Sequence, residues 1–227
     1  IIPLVLFFHK KLFMQYTLLA VCGIFIIIGM KRGAILLGGA LILMFLFQNF
    51  KDRSYKRKTM ILIFTSLILV IIVKLITNML QTSDYFVTRL EQTVEGNSSG
   101  RDYIYNVLWN IFINETNIFK LLFGYGANAT IGFTGNLAHQ DWLETLINNG
   151  ILGLSFLLYF FINLIRTTLK QRYRFYSYMY YSFLMSTFLL FGKTIFTMSI
   201  HDIQIPQSLL LGYFLYWSTQ SEIAQIN

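Results

Sequence analysis

Long apolar runs alternate with short polar breaks along this chain, and the runs have the length of a bilayer crossing. Six stand out, at residues 12–30, 33–50, 59–80, 150–165, 178–198 and 203–217. Each approaches the roughly 20 apolar residues that a helix needs to cross the hydrocarbon core, so the pattern predicts six membrane helices. The fourth run is short and is expected to begin earlier, as a helix from about Ala138 that bends at Asn148-Asn149-Gly150. Residues 1–8 read as the tail of a preceding span, so the expectation is a C-terminal fragment of a longer protein. The expected class is an all-α, polytopic integral membrane helix bundle. It divides into membrane helices with basic connectors (1–80), a large outward-facing loop with amphipathic helices (81–149) and C-terminal membrane helices (150–227).

Composition fits that reading. The chain is 56% hydrophobic with a mean hydropathy of +0.58, and only 12% of its residues are charged, against about 25% in a soluble domain. The single cysteine, Cys22, excludes an intramolecular disulfide and a cysteine metal site. No group of residues has metal-ligand spacing, so no metal and no other cofactor is expected. A net charge of +8 raises the question of nucleic acid. The basic residues sit in short connectors rather than along one stripe, which argues against that partner.

The connectors also set the orientation. Lys10 and Lys11, then Lys51, Arg53, Lys56, Arg57 and Lys58, then Arg166, Lys170, Arg172 and Arg174 place eleven of the 18 basic residues on one side, which is therefore cytoplasmic. The segment 81–144 then lies outside, with three basic residues against seven acidic ones. Lys31-Arg32 breaks the rule by falling on the outer side. Either the two side chains snorkel to the headgroups, or they line an outward cationic pocket. Lys74 and Lys193 lie inside spans, Lys74 about 22 Å from the cytoplasmic end of its helix, and both fall in the outer third. Snorkelling explains them too, but an ionisable residue in a span is also a site candidate. Together with Arg101 these cations predict an anionic ligand at the outer headgroup level.

Within the loop, Ser99-Gly100-Arg101-Asp102 has the spacing of a capping box, with Ser99 as N-cap. Ile104, Val107, Leu108, Ile111 and Phe112 recur at helical spacing, and Tyr103, Tyr105 and Trp109 suit an interface, so the expectation is an amphipathic helix lying on the outer leaflet. The turn Phe123-Gly124-Tyr125-Gly126 is weak evidence for phosphate binding. A second helix is expected over 138–149, with His139 in its first turn near free N–H groups that favour anions. Asp141 and Glu144 are acidic neighbours that could orient the histidine or replace it as a base.

The ordered set Gly100-Arg101, Trp109, Phe123-Gly124-Tyr125-Gly126, His139-Gln140 with Leu143, and Gly150-Ile151-Leu152-Gly153 resembles the outer loop of the bacterial O-antigen polymerase and O-antigen ligase family. Lys31-Arg32-Gly33-Ala34 resembles that family's Arg-Gly element after a membrane helix, with Lys31 where Ser or Thr is common. Gln140 stands where Asn is common. The resemblance implies a GT-C-like bundle at the bacterial plasma (inner) membrane and metal-independent glycan transfer from an undecaprenyl-pyrophosphate-linked donor at the outer face. It implies that Arg32 and Arg101 bind the pyrophosphate and that His139 assists the acceptor. Lys31, Lys74, Lys193, Gln140 and Glu144 are the further substrate-contact candidates. Expected partners are the lipid-linked glycan, the bilayer, and the flippase and chain-length regulator of the same pathway. The expected activity is polymerisation of oligosaccharide repeat units into a surface polysaccharide. The alternatives are ligation of a finished glycan to an acceptor, transport of a lipid-linked or anionic substrate, and a non-catalytic role in an envelope complex.

The orientation can be tested directly. After Cys22→Ala, a cysteine placed at Asn97 should react with a membrane-impermeant thiol reagent in intact cells. Labelling only after permeabilisation would reverse the topology.

Overall fold

In hydrocarbon a backbone must satisfy its own hydrogen bonds, and a helix does so within one segment. The apolar runs of this chain are accordingly helical in the computed structural model, which describes residues 2–8, 10–29, 31–51, 55–82, 84, 87–88, 91, 100–173, 176–196 and 205–226. Helix α1 (Ile2–Val5) runs into a 3-10 turn (Leu6–Phe8) and is followed by α2 (Leu12–Ile28), α3 (Arg32–Lys51) and α4 (Tyr55–Thr82). Three shorter helices follow: α5 (Arg101–Ile113), α6 (Ile118–Phe123) and α7 (Ala129–Thr134). Helix α8 (Asp141–Lys170) ends in a second 3-10 turn (Gln171–Tyr173), and α9 (Ser177–Phe196) and α10 (Ile205–Ile226) complete the order. There is no strand among the described residues. Among the described residues, three segments are both long and apolar enough to cross a membrane: Gly33–Phe50, Lys58–Thr82 and Asp141–Lys170. The other three expected spans correspond in position to α2, which is apolar but has only 17 residues, and to α9 and α10. The protein is an all-α membrane helix bundle.

Helix α9 is the centre of the bundle and packs against α1, α3, α8 and α10. Its sequence explains why. Small and hydroxylated residues let helices approach closely and bond across their seams when lipid offers no hydrophobic drive for association. Ser182 donates to the Pro3 carbonyl (2.6 Å), Thr187 shares a hydrogen bond with Thr168 of α8 (2.9 Å), and Ser177 accepts from the Gln48 amide of α3 (3.4 Å). Gly192 leaves room for Leu37 of α3, which would strike any Cβ there. Aromatic packing fills the remainder, with Phe183 stacked on Phe214 at 5.1 Å and Tyr16 on Phe64 at 5.4 Å.

The amphipathic stripe of α5 meets protein rather than a leaflet. Ile104 and Leu108 are buried against Ala138, Leu143, Leu146 and Ile147, which gives the loop a hydrophobic core of its own. The helix begins on Gly100, which has left-handed φ/ψ (81°, 0°) and supplies no side-chain cap. Ser99, the expected cap, lies outside the described residues. The second loop helix is the first part of α8. It starts at Asp141 rather than Ala138, bends at Gly150 as the Asn-Asn-Gly sequence predicts, and continues to Lys170.

That bend is where loop and bundle are joined. Gly150 adopts φ 67°, ψ −166°, and Gly124 adopts φ 80°, ψ −172°, a region essentially restricted to glycine. The break at Gly150 releases the Ile147 and Asn148 carbonyls from the helical ladder. They accept instead from the Tyr125 N–H (2.9 Å) and the Gly126 N–H (3.1 Å). At this crossing the two backbones touch. A Cβ on Gly124 would strike the Asn148 and Asn149 backbone, and one on Gly150 would strike Leu122 and Gly124. Gly150→Ala should therefore cost about 3 kcal/mol or more through forbidden dihedrals and steric overlap. The expected result is rapid hydrogen exchange at the Tyr125 and Gly126 amides with membrane insertion retained. Wild-type protection in that variant would show that the crossing is not rigid.

Candidate functional site

Glu144 organises the loop around the start of α8. It lies one turn inside the helix and is fully buried. One carboxylate oxygen accepts from the Thr130 hydroxyl of α7 (2.5 Å) and the Asn148 amide (2.9 Å), and the other accepts the Ala138 N–H (2.7 Å). A buried carboxylate is tolerated when it is hydrogen-bonded in this way. Here it fastens residues 130 and 138 to α8 while its own helix supplies the third donor. Both oxygens are thereby engaged inside the protein, so Glu144 holds the loop in shape rather than presenting its carboxylate to a substrate or acting as the alternative base.

Immediately after the anchored Ala138, His139 is exposed and adopts left-handed backbone (φ 55°). A non-glycine residue in that region is uncommon, though histidine is among the types enriched there. His139 therefore precedes the helix, whose N-cap is Gln140 in extended conformation. The Gln140 side chain makes no capping hydrogen bond.

Arg101 opens α5, the helix across from Gln140. One turn on, the Tyr105 phenol is pushed above its ordinary pKa by burial, while the Arg101 guanidinium opposes that shift through its charge and a hydrogen bond. Arg101, Tyr105 and Trp109 follow one another at intervals of four, so they share one face of the helix. Tyr105 and Trp109 of that face and the start of α8 form a cleft of about 360 Å3 lined by Tyr105, Asn106, Trp109, Gln140 and Trp142 over leucines of α8; Arg101 and His139 adjoin lining residues in the chain but are not part of the lining. The volume lies within the range of small-molecule sites, about 300–1,000 Å3. Trp142 forms a fixed wall, since its indole N–H donates to Thr194 of α9 (2.9 Å) and its ring packs on Phe161 and Phe191.

The remaining cations divide into two groups. Lys193 is half-buried on α9, one residue before the Thr194 that bonds Trp142, and is absent from the cleft lining. Arg32 is the first residue of α3, and Leu37 of that helix packs on Gly192; α3 therefore begins at the end of the bundle where α9 meets Trp142. The Arg32 side chain lies outside the described residues. Lys31 is exposed just before it. Lys74 is exposed on α4, which packs on α2 and α3, and it is absent from the cleft lining. Tyr105, Asn106 and Trp142 are not among the site residues expected from sequence, and Trp109 enters there as an interface anchor and as part of the family-like motif. The four-residue spacing from Arg101 to Tyr105 to Trp109 was the available signal.

A second clasp holds the turn after α5. The Tyr125 hydroxyl donates to Glu115 (2.7 Å), and Lys120 lies 3.5 Å from the same carboxylate. The bond to Tyr125 holds the Glu115 carboxyl below its usual range, while burial and that carboxylate push Tyr125 up to about 12. A lowered carboxyl stabilises above its unfolded pKa and loses that effect as pH falls through its folded value. A raised phenol stabilises below about pH 10 and loses that effect as pH rises further. The clasp is accordingly at full strength from mildly acidic to mildly alkaline pH. For the buried anchor, Glu144→Gln turns an acceptor into a donor facing donors and should destabilise the loop by about 2–3 kcal/mol. Hydrogen exchange at Ala138 would register this as lost protection; unchanged protection would contradict the anchoring role.

The O-antigen ligase family model matches residues 17–158, well over half of the 227. The matched region runs from α2 through the kink and includes Arg32, Arg101, the Gly124–Gly150 crossing and His139. No curated protein and no solved structure matches the chain. The protein belongs to the O-antigen ligase family of integral membrane proteins, whose ligases and polymerases process glycans.

Proposed function

We propose that this protein is a polysaccharide polymerase that joins undecaprenyl-pyrophosphate-linked oligosaccharide units at the outer face of the plasma membrane. The reading is supported by two neighbours of one cleft: Arg101 opens the helix whose Tyr105 and Trp109 line one wall, and the exposed His139 immediately precedes Gln140 on the other. An acceptor hydroxyl attacks the anomeric carbon, the bond from that carbon to the pyrophosphate oxygen breaks, and undecaprenyl pyrophosphate leaves with the bonding electrons. Arg101 supplies paired, charge-assisted hydrogen bonds to the charge growing on the leaving group. Arg32 is proposed to share that task. His139 accepts the hydroxyl proton, the role that imidazole most often fills in general-base catalysis. The excess of Lys and Arg in the 51–58 and 166–174 connectors supports the outward orientation.

Ligation is the second reading, favoured by the description of the matching family model. Cells lacking the full-length protein should accumulate single lipid-linked repeat units if it polymerises, and finished lipid-linked chains if it ligates. His139→Gln should slow transfer by a factor of about 10²–10⁴, and Arg101→Lys should remove most activity because lysine lacks the planar fork. A His139→Gln enzyme that transfers glycan at the wild-type rate with saturating substrates would overturn the general-base assignment.

A further inference from the structure

The cleft lies beside the groups assigned to the reaction rather than around them. We propose that it is a pyranose-binding subsite, in which Trp109 stacks on the apolar face of a sugar ring and the amides of Asn106 and Gln140 bond its hydroxyls. This rests on the transferase reading above and specifies where the glycan lies.

A pyranose has C–H faces and a hydroxyl rim, so its site needs an aromatic surface with hydrogen-bonding groups beside it. Trp109 provides the surface. Phe112 stacks on its ring (6.1 Å, 27°), and 50% of the residue remains exposed. This leaves a supported indole with area to offer. Asn106 and Gln140 provide the hydrogen bonds. Neither side chain forms a hydrogen bond among the described residues. Gln140 is the more telling of the two, because it occupies an N-cap position without capping and is half-buried in the cleft wall. Trp142 cannot share the work as a donor, since its N–H is committed to Thr194.

The order of groups along α5 supports the assignment. Arg101, Tyr105 and Trp109 are separated by about 6 Å per step at 1.5 Å per residue. A pyrophosphate at Arg101 therefore places the attached glycan along Tyr105 and Trp109, with Gln140 facing it from the other wall. The isoprenoid tail fits this place less well. Two amides would be desolvated against hydrocarbon, and most of the lining precedes the kink, whereas exposed apolar residues such as Ile151 and Phe156 follow it.

Two probes separate sugar from carrier: the free repeat-unit oligosaccharide, and undecaprenyl pyrophosphate without sugar. Each is titrated into the full-length protein in nanodiscs, with bound ligand measured directly. Trp109→Ala and Gln140→Ala should each weaken oligosaccharide binding about tenfold and leave carrier binding unchanged, and Trp109→Phe should restore most of the loss. If Trp109→Ala weakens the sugar-free carrier, the cleft holds lipid or pyrophosphate and the proposal is wrong. If both variants bind the oligosaccharide like wild type, the subsite is likewise excluded. Failure of the transferase reading would appear separately, as wild-type protein that binds these ligands but forms no glycosidic bond.

Discussion

Two peptide segments of this protein cross at van der Waals contact, and the crossing exists because Gly124 and Gly150 have no Cβ. Everything in the loop takes its position from that point. The kink at Gly150 ends one helical ladder and exposes two carbonyls, and the Tyr125 and Gly126 amides occupy them. The helix can thus serve two environments. Its later part is apolar enough to span a membrane, while its first nine residues carry one wall of the cleft. A straight helix would present one continuous face and leave the Tyr125 and Gly126 amides without the Ile147 and Asn148 carbonyls.

The polar anchors convert that crossing into a defined site. Glu144 fixes Ala138, and its neighbour His139 is held in a strained backbone conformation at the cleft rim. Strain of that kind persists only where the surroundings over-determine it, and three hydrogen bonds to one buried carboxylate provide such surroundings. On the other wall, burial of Ile104 and Leu108 fixes the roll of α5 and thereby the direction of the Arg101, Tyr105 and Trp109 face. A guanidinium and an imidazole held beside the cleft before substrate arrives suit the preorganised electrostatics of the proposed transfer.

Which parts of this were legible in the sequence depended on range. Membrane helices are visible because twenty apolar residues in a row have few other uses, and the bend at Gly150 because Asn-Asn-Gly interrupts such a run. Arg101 and His139 stood out because the loop holds few basic residues and one histidine. The role of Gly124 was not legible, since it is set by contact with a backbone 24 residues away. Glu144 read as a possible base because its three donors, two of them outside its own helix, are invisible to local pattern. The stripe on α5 was read correctly as apolar but assigned to lipid, because periodicity shows that a face is buried and not what buries it.

In the proposed reaction the protein breaks a sugar–pyrophosphate bond rather than moving its ligand across the bilayer. The most direct measurement uses sealed proteoliposomes carrying the full-length protein and an undecaprenyl-pyrophosphate-linked oligosaccharide. Free undecaprenyl pyrophosphate and new glycosidic bonds are counted together over time. The account predicts that both appear in equal amounts. Movement of intact lipid-linked glycan between leaflets, with no undecaprenyl pyrophosphate released, would contradict it.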